Sequence, residues 1–160
     1  MLLDPVAVAT LGGGIALAGG VAGSAIGIST AASAGIAILS REPKQIRNVI
    51  ILASIPMSQT FYGLIILVLV LTSVIPKLAT IPGGAGSSGF AVLACSVIAA
   101  LSFAFSGAWK GRVCASGISF LPKTKGRILT NSLMLAVFVE LISVLGLVFT
   151  IMALNMLGLM

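Results

Sequence analysis

Residues 128–157 read ILTNSLMLAVFVELISVLGLVFTIMALNML. The run is apolar almost throughout and holds a single charge, Glu140. At 1.5 Å per residue it exceeds the ~20 residues needed to cross a bilayer. A carboxylate in such a segment costs about 2.5–3.5 kcal/mol to insert. Acids kept there mark ion or proton paths far more often than they serve as packing. Only two other acids exist in the chain, Asp4 at its start and Glu42 in a polar break.

The rest of the composition agrees with a membrane setting. Of 160 residues, 59% are hydrophobic and 8% are charged, against about 25% charge in soluble domains. Mean hydropathy is +1.25. That leaves too little polar surface to clothe a water-soluble globule. The net charge of +6 does not indicate nucleic-acid binding. Its basic residues gather in two short breaks, Arg41-Glu-Pro-Lys44-Gln-Ile-Arg47 and Lys123-Thr-Lys125-Gly-Arg127, which read as positive-inside loops. Cys95 and Cys114 lie in apolar segments without metal-ligand spacing and read as packing residues. The N-terminal Met-Leu-Leu-Asp-Pro lacks a positive n-region, so the first apolar run reads as a retained span and not a cleaved signal.

Three breaks divide the chain into apolar segments at roughly 6–40, 48–76, 88–121 and 128–158. The two basic breaks belong in the cytoplasm. The middle break, from Pro76 to Gly89, is rich in turn residues and belongs outside with both termini. The fold class expected is an all-α, multi-pass cell-membrane protein of four transmembrane helices. They form two antiparallel hairpins, residues 1–80 and 81–160. The hairpins resemble each other. Ser33-Ala-Gly-Ile-Ala-Ile-Leu39 matches Ala115-Ser-Gly-Ile-Ser-Phe-Leu121, and Tyr62-Gly-Leu-Ile-Ile matches Leu145-Gly-Leu-Val-Phe, about 82–83 residues apart. This is the pattern of a parallel duplication.

The first segment carries two rows of small residues, Gly19/Gly23/Gly27 and Gly12/Ala16/Gly20/Ser24. Such rows let helix backbones approach closely in lipid. Two adjacent rows favour crowding on more than one side, as in a packed oligomeric ring, over a single contact within one hairpin.

Depth counting finds partners for Glu140. It lies fifteen residues beyond the turn centred near Lys125, and Lys110 lies fifteen before it. Both are thus roughly 20 Å from the turn. The first turn, near Lys44, puts Gln59 at the same depth, with Ser58 beside it and Tyr62 one helical turn away. Pro56 frees a backbone carbonyl nearby. Ser58 could bond only its own helix, but a carboxamide such as Gln59 needs partners in lipid. Lys110 either pairs with Glu140, offsetting both charges, or turns away and snorkels. Arg112, at the depth of Phe138, either snorkels towards the cytoplasmic surface or faces the interior. The glycine-rich Pro82–Gly89 stretch lacks the Gly-Lys-Ser/Thr of a phosphate loop. With no histidine in the chain, His-based triads and zinc sites are excluded.

Three motifs carry a family resemblance: Pro56-Met-Ser-Gln-Thr-Phe-Tyr-Gly63, Phe105-Ser-Gly-Ala-Trp-Lys-Gly-Arg-Val113 and Val139-Glu-Leu-Ile-Ser-Val-Leu-Gly146. With the duplicated hairpins, they make the chain similar over its whole length to the rotor-ring proteolipid of V-type and A-type rotary ATPases, in its duplicated four-helix form. The resemblance implies a homo-oligomeric ring that translocates H+ or Na+ and has no cofactor or nucleotide chemistry of its own. It implies a stator membrane subunit bearing an arginine, central-stalk subunits at the cytoplasmic loops, and surrounding lipid. Glu140 then corresponds to the ion-carrying carboxylate. Ser58 and Gln59 correspond to side-chain ligands, Ile55 to a carbonyl ligand, and Tyr62 to the tyrosine that locks the site. If sodium is the coupling ion, its side-chain ligands are Glu140, Gln59 and Ser58. The first hairpin's carboxylate position falls near Met57, leaving one acid per chain.

Lys110 departs from that pattern, because sodium-binding members typically carry glutamine there. An ammonium has donors only and cannot ligate a cation. The alternative to a rotor is a small secondary transporter that uses the same glutamate for a cation or proton. A third reading is a structural proteolipid in which Glu140 is vestigial.

Overall fold

The computed structural model describes residues 4–81 and 85–160, and in them four long helices. Helix α1 spans Pro5–Leu39. Asp4 starts it: its carboxylate accepts the Val6 N–H at 3.1 Å, and Pro5 takes the first turn, where no donor is needed. Helix α2 spans Pro43–Thr80, α3 spans Ala85–Thr124 and α4 spans Ile128–Met156. Each contains a stretch long and apolar enough to cross a membrane.

Three boundaries differ from expectation, and each involves proline. Helix α2 starts at Pro43, inside the expected break at 41–47, because Pro43 suits the first turn of the 3-10 segment Pro43–Gln45 that leads into it. Turn residues place the middle break at Pro76 to Gly89, but α2 continues to Thr80 and α3 begins at Ala85. Within that expected loop, residues 82–84 lie outside the described ones. Pro76 is accommodated because a π-helical turn at Val70–Val74 shifts the hydrogen-bond ladder just before it. The third apolar segment stops before Pro122, yet the helix runs to Thr124. The α3–α4 turn then closes with Gly126 N–H donating to the Leu121 carbonyl at 3.0 Å. Gly126 takes φ +83°, a backbone that a side chain would strain.

The side-chain pattern is inverted relative to a soluble bundle. Phe138, Phe149, Met134 and Phe105 point outward, while Lys110 and Gln59 are among the largest fully buried side chains. Lipid-facing surface wants apolar atoms, and polar groups must find each other inside.

Helix α1 sits between α2 and α3 and uses its small residues on both sides. A Cβ on Gly23 would meet the backbone of Phe103 and Ala104 in α3. One on Gly20 would meet the Gln59 carbonyl in α2. The two small-residue rows expected to signal crowding between copies are therefore both engaged within one chain. Two rows are needed because α1 has two neighbours of its own.

Two apolar clusters bracket the polar layer. One contains Ile66, Val70, Val92, Phe103 and Leu154. The other contains Val49, Leu52, Cys114, Ile118 and Leu121, towards the basic turns. Between them lie Ser24, Gln59, Ser106, Lys110 and Ser143, all buried.

Candidate ion-binding site

The polar layer is built where α2 changes its winding. Pro56 has no N–H to continue the ladder, and residues Ile55–Met57 tighten into a 3-10 turn. The Pro56 carbonyl is taken by the Ser24 hydroxyl from α1 at 2.9 Å. Ser24 Oγ in turn accepts from the Thr60 amide at 3.1 Å and lies 2.8 Å from Thr60 Oγ1. This clamp fixes the segment that presents Ser58 and Tyr62.

Glu140, on α4, meets two donors on one oxygen. The Tyr62 hydroxyl donates to Oε1 at 2.9 Å, and Lys110 Nζ lies 3.2 Å from the same atom. Lys110 also donates to Ser58 Oγ at 2.7 Å. The Lys110 side chain has no exposure, while that of Glu140 keeps 20%. The pair is therefore open to the surroundings through the carboxylate and sealed on the amine side. It is the ion pair found among the described residues. The pairing that equal depth suggests is thus the arrangement adopted, and Lys110 does not snorkel. The cost of burying either charge alone explains why: each offsets the other.

The remaining sequence candidates fall as follows. Ser58 bridges Lys110 to its own helix, donating to the Ile55 carbonyl at 3.3 Å. The Ile55 carbonyl is thus beside Ser58, not on the carboxylate. Gln59 is buried but turns to α3, donating to Ser106 Oγ at 3.4 Å, and its side-chain Oε1 has no partner. Arg112 is exposed and stacks on Trp109, 4.2 Å from the ring centroid. Met57, at the position corresponding to Glu140 in the first hairpin, points outward at 50% exposure.

Sequence reasoning missed the serines that hold the layer together. Ser106 donates to the Val139 carbonyl at 2.8 Å and lies 3.3 Å from Ser143 Oγ. Ser143 donates back to the Glu140 carbonyl at 2.7 Å. Ser24 reads in the sequence only as a small residue in a packing row. The available signal was depth: Ser24 and Ser106 lie at matching distances before their turns.

Four apolar helices in two hairpins, with one carboxylate inside, define a multi-pass membrane proteolipid of the ion-translocating kind. The chain belongs to the ATP synthase C-subunit family, which matches it twice, over residues 11–70 and 84–153. It is an ion-translocating rotor-ring component of that ATPase class. A curated relative is the V-type sodium ATPase subunit K of Enterococcus hirae. The two are 29% identical over 126 residues, covering 79% of this chain and 76% of the relative. The secondary-transporter alternative draws no support from these relationships.

Proposed function

We propose that Glu140 is the group through which the ring exchanges its coupling ion, H+ or Na+, and that Lys110, Ser58 and Tyr62 hold it in place. The observation that carries this reading is the shared oxygen: Glu140 Oε1 receives both Tyr62 and Lys110 inside an otherwise apolar bundle. A charge held so firmly at one depth is what an exchange site needs. Gln59 and the Ile55 carbonyl stand in support, one residue and one helical turn from Ser58.

The apolar clusters on either side of the layer favour a carrier over a channel. Ion access then requires a separate stator subunit whose arginine pairs with Glu140 at its exposed edge. The ring would turn the site through lipid while the Lys110–Glu140 pair is neutral. Both basic turns face the cytoplasm and meet the central stalk, with the termini outside. The chain contributes no nucleotide chemistry. ATP is hydrolysed or made on soluble subunits.

Labelling with dicyclohexylcarbodiimide tests the assignment. The reagent attacks a transiently protonated carboxyl in an apolar setting. Peptide mapping should place the adduct on Glu140, with ATP-driven ion transport lost in step. An adduct confined to Asp4 or Glu42, with transport lost all the same, would refute the assignment.

A further inference from the structure

We propose that Lys110 is the ion-specificity determinant of this site: its ammonium fills the cation position beside Glu140, so the site exchanges protons and excludes Na+. This rests on the reading of Glu140 as the exchange group and adds the identity of the ion.

The geometry makes the case. Lys110 Nζ sits 2.7 Å from Ser58 Oγ and 3.2 Å from Glu140 Oε1. A hydroxyl oxygen and a carboxylate oxygen are acceptors that a hard monovalent cation would also seek. Here a covalently tethered cation already has them. The side chain has no exposure, so it is not a mobile surface group that can swing aside into water. Withdrawing it would leave an ammonium without its counter-charge in an apolar bundle, the situation that costs most in a buried pair.

Charge balance points the same way. Lys110 and Glu140 together are neutral without any bound metal ion. Adding Na+ would place a second positive charge within contact distance of the first, in a layer walled by apolar clusters. The groups facing Lys110 do not relieve this. Helix α2 supplies Tyr62 and Ser58, α4 supplies Glu140, and its own helix supplies Cys114 one turn on. Helix α1 carries no titratable side chain after Asp4. Glu140 is the one acid in this set. A proton needs no seat of its own, because it binds to an atom already present. With the cation position filled, the exchanged cation is a proton of the pair itself: its loss leaves the Lys110 amine beside the Glu140 carboxylate with one net negative charge, and its return restores the neutral pair.

The neighbouring acceptors show what would replace the lysine. The Gln59 side-chain amide oxygen is buried without a partner, one residue from Ser58. Removing the ammonium would leave the two oxygens that it contacts, Ser58 Oγ and Glu140 Oε1, with an uncompensated carboxylate between Ser58 and Tyr62. Lys110→Gln adds an amide oxygen at that position.

The test uses the intact ATPase complex in proteoliposomes, with ATP-driven proton uptake and 22Na+ uptake measured in parallel. Wild type should take up protons and no 22Na+, and added Na+ should leave proton uptake unchanged. ATP-driven 22Na+ uptake by wild type would overturn the exclusion while leaving Glu140 as the exchange group. Absence of both uptakes in an active complex would instead overturn the carrier reading itself. Lys110→Gln provides the converse in isolated rings. Na+ at about ten times its dissociation constant leaves roughly a tenth of sites free, so carbodiimide labelling of Glu140 should slow about tenfold in the variant and not at all in wild type. Equal Na+ protection of wild type and variant rings would refute the proposal. Should the variant fail to form rings, the wild-type uptake measurement decides alone.

Discussion

Ser24 and Ser106 make equivalent hydrogen bonds in the two halves of the chain. Ser24 donates to the Pro56 carbonyl at 2.9 Å and meets Thr60 Oγ1 at 2.8 Å. Ser106 donates to the Val139 carbonyl at 2.8 Å and lies 3.3 Å from Ser143 Oγ. The serines are 82 residues apart, and their partners are 83 apart. The same inter-helix clamp thus recurs in each hairpin, its carbonyl one residue before Met57 in the first and one before Glu140 in the second. The duplication is preserved in geometry even where the carboxylate occurs only once.

Ser106→Ala should loosen the second clamp and leave the Gln59 amide without its acceptor. Inter-helix hydrogen bonds in membranes are worth about 0.6–2 kcal/mol each. The variant ring should therefore dissociate at lower temperature in detergent, by an amount matching one to two such bonds. Ser24→Ala should do the same for the first hairpin. An unchanged midpoint for both would mean that the clamps contribute nothing to stability.

Glycine packing between α1 and α3 is the next expectation. A Cβ on Gly111 would run into the Gly27 backbone, and one on Gly107 into that of Gly23. Neither neighbour is a flexible side chain that can give way. Gly111→Ala should cost about 1–3 kcal/mol by overpacking, and Gly111→Val more. Yield of folded oligomer from membranes, measured for each variant, checks this. Wild-type yield with valine would contradict the close approach.

The order of helices, the apolar spans, the duplication and the depth of the polar layer were legible because each follows from hydropathy, turn residues or counting at 1.5 Å per residue. Equal depth was enough to bring Lys110 to Glu140. It was not enough to place Gln59, because depth says nothing about which way a side chain points around its helix. Gln59 is adjacent to Ser58 and so faces about 100° away, towards Ser106 and not Glu140. The extent of α2 was hidden at Pro76 because a π-helical turn absorbs the missing donor, and no residue pattern announces such a turn. The small-residue rows announced close packing but not the partner, since glycine presents the same surface to a neighbour in its own chain or in the next.

Tyr62→Phe isolates the hydroxyl that reaches Glu140 Oε1 at 2.9 Å. Hydrogen bonds to charged groups are worth about 1.5–3 kcal/mol. The ring should still assemble, because the phenyl body retains its packing against Phe103, 6.0 Å between ring centroids. Carbodiimide labelling of Glu140 should accelerate, since a less firmly held carboxylate is protonated more readily. Labelling at the wild-type rate would indicate that the hydroxyl plays no part in securing the site.

The central claim is that Glu140 exchanges the ion. Glu140→Gln keeps the size and hydrogen-bonding capacity of the side chain and removes its charge. It also strands the Lys110 ammonium, a change that costs about 3–5 kcal/mol in buried pairs, so assembly must be read alongside function. Ring mass in detergent reports the first, and ATP-driven cation uptake by the reconstituted complex reports the second. The expected result is an assembled ring with no ATP-driven uptake of either H+ or Na+. Uptake at the wild-type rate from Glu140→Gln rings would contradict the role assigned to this carboxylate.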